Sequence, residues 1–142
     1  MQTSKVAVTG RPKGTGVFVA YPTGYPSTTK VRLWKLTPTK TTSLVVASGS
    51  AEKNQATVAA GADGRIWVAW SQYSGGHERV CVRRSNLAAT KFGATKSYAT
   101  PKGYLSVYHL AAAVRGGKLN VFAQLGGLKA ASTWHIQFKA PV

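Results

Sequence analysis

Three carboxylates, three histidines and one cysteine are the whole supply of acid–base, metal-ligating and thiol groups in this 142-residue chain. Glycoside hydrolysis of the ordinary kind needs two carboxyl groups facing across one bond. Asp63 precedes Gly64 and reads as a turn residue, and no pattern pairs Glu52 with Glu78. His77, His109 and His135 lie far apart and lack a partner at metal-ligand spacing, so neither a metal nor another cofactor is expected. Cys81 sits between Val80 and Val82 in a strand-like run, the setting of a small buried thiol rather than a nucleophile. Gly10, Gly14 and Gly16 have the look of a phosphate loop, but no helix follows to supply the positive end of a dipole. No catalytic residue is assigned, and the chain is read as a non-enzyme.

Binding chemistry is better supplied. Tyr25, Gln72, Tyr73, His77, Lys53, Lys102 and Tyr104 fall in or beside connections between strand-like runs. Tyrosine rings stack on sugar faces or bases while their hydroxyls stay solvated, and Lys and His attract anionic groups. These seven residues are the expected ligand-binding set. Nineteen Lys and Arg against three acids give a formal charge of +16. Such a balance suits anionic glycans or nucleic acid, and equally serves solubility by keeping exposed strand edges apart. The charge is spread over the whole chain without a basic tail. No apolar run is long enough to suggest a membrane span, and Met1–Lys5 lacks the apolar stretch of a secretory signal.

The elements that must position these residues repeat. Residues 56–60, the turn signal Asp63-Gly64 and residues 66–70 form a hairpin pattern, with a type I′ turn expected at Asp63-Gly64. Ile66, Val68 and Trp70 occupy one face of the second strand, Trp67 and Ala69 the other. Both faces are apolar, as in a strand packed between sheets, so Trp67 and Trp70 are expected in the packing. The module recurs at residues 6–9 with 17–21, and at 110–114 with 119–123 across Gly116-Gly117. From Val17 to Ile66 is 49 residues and from Ile66 to Leu119 is 53, a spacing in the range of propeller blades.

Third strands with basic outward positions follow at 30–36, 78–84 and 133–139, and short fourth strands at 43–47 and 95–98. The third repeat ends at Val142 without one. The expectation is therefore an all-β chain, a β-propeller segment of three antiparallel four-stranded blades with the last three-stranded, divided as repeats 1–53, 54–103 and 104–142 of one domain. In such a segment the connections carrying the seven candidate residues open on one face.

The run from Val58 to Trp70, followed by Val82-Arg83-Arg84-Ser85-Asn86 and Thr90-Lys91-Phe92-Gly93, resembles a blade of the sialidase-like Asp-box (BNR) propellers. Ser85 and Phe92 keep the outer positions of the Asp-box, while Leu87 replaces its Asp, Ala89 its Gly and Lys91 its Thr. The resemblance implies the propeller fold, carbohydrate as ligand, six blades in the closed ring and an extracellular or secreted setting. The family's catalytic set, three converging arginines, a Glu-activated Tyr and an acidic proton donor, is not recognisable. Three blades cannot close a ring, so a second copy is expected to complete it head to tail, over apolar flanks including Val17, Val19, Leu119 and Val121, the competing explanation being a larger parent protein that supplies the remaining blades. The alternatives are a structural self-assembling building block without a small ligand, and non-specific nucleic-acid binding through charge.

Overall fold

The computed structural model describes residues 6–12 and 14–140. It is all-β, with three separate antiparallel sheets and no helix among the described residues. The first sheet, labelled blade 1 after the expected repeats, comprises β1 (Ala7–Gly10), β2 (Val17–Thr23), β3 (Lys30–Leu36) and β4 (Thr41–Ala47), hydrogen-bonded in chain order. Blade 2 comprises β5 (Lys53–Ala60), β6 (Ile66–Ser74), β7 (His77–Arg84) and β8 (Lys96–Ala99), again in order. Blade 3 has three strands, β9 (Tyr104–Arg115), β10 (Lys118–Gly127) and β11 (Ser132–Lys139). β9 and β10 run longer than expected. Leu125, Gly126 and Gly127, beyond the strand expected at 119–123, pair with Val107, Ser106 and Tyr104 through two register shifts. Gly126 is required there: a Cβ would lie 2.1 Å from the Tyr108 ring that covers it.

Two apolar seams join the blades, and both have the same direction. Alternation along β2 sends Phe18 and Ala20 to one side of blade 1, where they meet Val58, Ile66, Val68, Trp70 and Cys81 of blade 2. The other side of blade 2, with Trp67, Ala69, Val80 and Val82, meets Val107, Leu119, Val121, Leu125 and Phe138 of blade 3. Trp67 and Trp70 are 2% and 1% exposed, and each fills a different seam. Each blade thus lays its leading face on the trailing face of the next.

Stacking leaves two free flanks. On blade 1 it is the trailing face: Val8, Val17, Trp34 and Val45 are exposed, with the Tyr21 ring set edge-on to Trp34 at 5.2 Å. On blade 3 it is the leading face, and here the expectation is corrected. Leu119 and Val121 are fully buried in the seam with blade 2. The free flank instead carries their alternates, Asn120, Phe122 and Gln124, because alternation puts one set inside and the other outside. Phe122 stacks on His135 with centroids 4.8 Å apart, while Asn120 Oδ1 accepts from Gln137 Nε2 at 3.1 Å and pairs with His135 Nε2 at 2.9 Å.

Two turns depart from the sequence reading in their details. At residues 61–65 only Gly64 has positive φ, 88°, so the turn is not type I′. Five residues separate the paired Ala60 and Ile66, and this longer loop closes through Gly64 N to Gly61 O at 2.9 Å, with Asp63 Oδ1 accepting from Arg65 N at 3.0 Å. Gly75-Gly76 and Gly116-Gly117, with both φ positive, are the tight hairpin turns. In the β7–β8 turn, Ser85 bridges to Phe92 and its Oγ accepts from Ile66 N at 2.9 Å. Asn86, rather than residue 87, organises the loop: its Oδ1 accepts from Thr90 N and Lys91 N at 2.9 and 3.2 Å. Asn86→Ala leaves both donors without that acceptor, and is expected to lower stability in urea by about 1 kcal/mol. An unchanged midpoint would show that the loop holds without it.

Candidate functional site

The connections from second to third strand, and from one blade to the next, open at the same end of the array. At that end the β6–β7 turn and the 100–103 connection converge between blades 2 and 3 on a groove of about 760 Å³. Its lining includes Tyr73, His77, Glu78, Lys102, Tyr104 and Leu105. The walls are fixed by backbone bonds. Thr100 N donates to Glu78 O at 2.9 Å, Tyr104 N to Pro101 O at 3.2 Å, and Leu128 N to Gly103 O at 3.1 Å. Gly103, at φ 91°, leaves room for the Lys129 side chain, whose Nζ lies 5.8 Å from the centre of the Tyr104 ring.

Four of the seven expected residues, Tyr73, His77, Lys102 and Tyr104, therefore meet in one groove. The other three do not join them. Tyr25 is 97% exposed on the β2–β3 connection of blade 1. Lys53 is only 2% exposed, and its Nζ donates to the Ala51 carbonyl at 2.8 Å, so the side chain ties the 48–52 connection together. Burial lowers the Lys53 pKa, the nearby Cys81 working weakly the other way. Gln72 is half-buried and engaged on both sides, accepting from Trp70 Nε1 at 3.2 Å and donating to Ser74 Oγ at 3.3 Å.

Glu78 and Lys129 are the residues that sequence reasoning left out of this set. The signal for Glu78 is the two-residue Gly75-Gly76 turn, which sets His77 opposite Ser74 and Glu78 opposite Tyr73. Burial raises the Glu78 pKa, the Ser71 hydroxyl works against this, and the like charge of Glu52 adds a smaller rise. Because the folded protein holds this proton more tightly than the unfolded chain, Glu78 contributes a loss of stability as pH rises above its ordinary value of 4.5.

Cys81, 3% exposed, has its thiol pushed up to about 11, chiefly by burial. Native protein is expected to react with a chromogenic aromatic disulfide only at the rate of unfolding, and fully once denatured. A rapid stoichiometric reaction in buffer would place the thiol at the surface. Between pH 9 and 11 the unfolded chain releases this proton while the folded one keeps it, so Cys81 lowers stability across that window.

The opposite end of the array, with the β1–β2, β5–β6 and β9–β10 turns, is strongly basic. Arg65, Arg84 and Lys91 line a shallow cleft of about 240 Å³ beside Asn86 and Phe92. Arg115, Lys118 and Lys139 are cross-strand neighbours in blade 3. Asp63 at this end is paired with Arg65, Nε to Oδ2 at 3.4 Å. No protein-family model, curated protein or solved structure matches the chain.

Proposed function

We propose that the chain is a carbohydrate-binding half-propeller, taking a glycan with anionic groups in the groove between blades 2 and 3. The observation that carries the reading is the meeting of Tyr73 and Tyr104 with His77 and Lys102 in one cleft. Two phenol rings offer faces for sugar C–H surfaces, and Lys102 with Lys129 draws a carboxylate or sulfate. The test is a glycan array followed by calorimetric titration of the best hit. Tyr73→Ala and Tyr104→Ala should each cost about 1 to 3 kcal/mol, taking ring-stacking losses as the guide. Unchanged affinity in both variants would remove the groove as the site.

The reading is of binding rather than catalysis. Asp63 serves its turn, and Glu78 is the one carboxylate among the described residues lining the groove, beside Lys102, Tyr73 and Tyr104. Release of a fluorogenic sialoside is expected to stay at the buffer rate. Release that Glu78→Gln abolishes would overturn this.

In this reading a second copy completes the ring. The directional seam is used twice within the chain and leaves one unused leading face and one unused trailing face, so two copies placed head to tail close six blades with two-fold symmetry. A ring that forms but captures no glycan would favour a structural building block. Sequence-independent nucleic-acid binding is a second reading, favoured by the basic hairpin end. Its mark is an affinity for duplex DNA that falls steeply with salt, and salt-independent or absent binding would dismiss it.

A further inference from the structure

A second site stands apart from that groove, on the innermost strands. β5 carries a β-bulge between Asn54 and Thr57, and inside it Gln55 has φ 52°. This left-handed conformation is costly for a Gln, and such strain persists where the surroundings enforce it, often at ligand sites. Gln55 is 5% exposed. Its neighbours are satisfied, Lys53 by Ala51 and Asn54 by Thr28 and Glu52, but the Gln55 amide has no hydrogen-bond partner among the described residues. Instead it borders a cavity of about 510 Å³, with Ala56, His109, Leu110, Gln124 and Thr133 among the other lining residues. That volume lies within the range of small-molecule sites.

Among the described residues the lining contains no Lys, Arg, Asp or Glu, distinctive for a chain of charge +16. A charged ligand would go unpaired there. Amides both donate and accept, as do hydroxyls, while Ala56 and Leu110 offer apolar walls. We propose that this cavity binds a neutral sugar ring, with the Gln55 amide as the anchor for its vicinal hydroxyls. The two sites share no lining residue, so this inference does not rest on the loop-end groove. It lies beside the inner strands, and Phe122, Gln124 and Thr133 of its lining belong to the free face of blade 3, so a second copy docked on that face would border the cavity too.

The test uses the full chain with glucose, galactose, mannose and N-acetylglucosamine at millimolar concentration, read by saturation-transfer NMR, alongside urea denaturation. At least one sugar is expected to bind. Gln55→Gly should abolish the signal while the urea midpoint stays equal or rises, since Gly adopts φ 52° without the Cβ penalty. Gln124→Ala should weaken binding at least about tenfold, and Tyr73→Ala should leave it unchanged. The proposal falls if none of the sugars binds, if Gln55→Gly keeps full affinity, or if that variant loses stability, which would make the amide a structural group. Adenosine displacing the sugar from the same residues would overturn the ligand class.

Discussion

Trp70→Ala is expected to lower the unfolding free energy by about 3 to 5 kcal/mol, a large part of the stability of an ordinary domain. The indole is 1% exposed and sits in the seam where blade 2 meets Phe18, Ala20, Val31 and Leu33 of blade 1. Truncation removes its apolar contacts, leaves a cavity between two sheets, and deprives Gln72 Oε1 of the indole N–H that donates to it at 3.2 Å. Trp70→Phe retains most of the ring and should cost far less. Trp34→Ala is the internal contrast, because Trp34 is 43% exposed on the free flank of blade 1. In urea at low protein concentration it should lose much less than Trp70→Ala. Equal losses at the two positions would mean that the seams do not carry the fold as described.

Trp34→Glu is expected to abolish self-association while leaving the β-sheet circular dichroism unchanged. Val8, Val17, Val45 and Trp34 form an exposed apolar surface, and a carboxylate in its middle would have to be desolvated for a second copy to dock. The free face of blade 3 is less apolar: Asn120, His135 and Gln137 satisfy one another, and Phe122 stacks on His135. Val8→Glu provides a second probe, since Val8 is 61% exposed and its side chain tolerates change in an isolated copy. Self-association that survives both substitutions would move the contact to another surface.

Much of this architecture is legible in the sequence because alternation is a local signal. Ile66 to Trp70 announces a strand covered on both faces, and the structure puts Trp67 and Trp70 in opposite seams. Alternation does not say which of two faces meets a neighbour, so Leu119 and Val121 were assignable to the free flank although they are buried. The length of β9 was hidden because Tyr104 to Leu110 mixes polar and apolar residues around register shifts. Lys53 reads as a solvated loop lysine, and only the closure of the 48–52 connection over its amine explains its burial. The proximity of Glu78 to Tyr73 depends on one two-residue turn. Gln55 carries no sequence mark at all, because a bulge inserts a residue that breaks the period by which strands are read.

Light scattering coupled to size-exclusion chromatography, over a wide range of loading concentrations, tests the completed half-propeller most directly. The account predicts a mass of twice the 15.0 kDa chain that persists on dilution, because two seams form together when two copies close one ring. A dilution-resistant species at 15.0 kDa, or a ladder of open multimers growing with concentration, would contradict it.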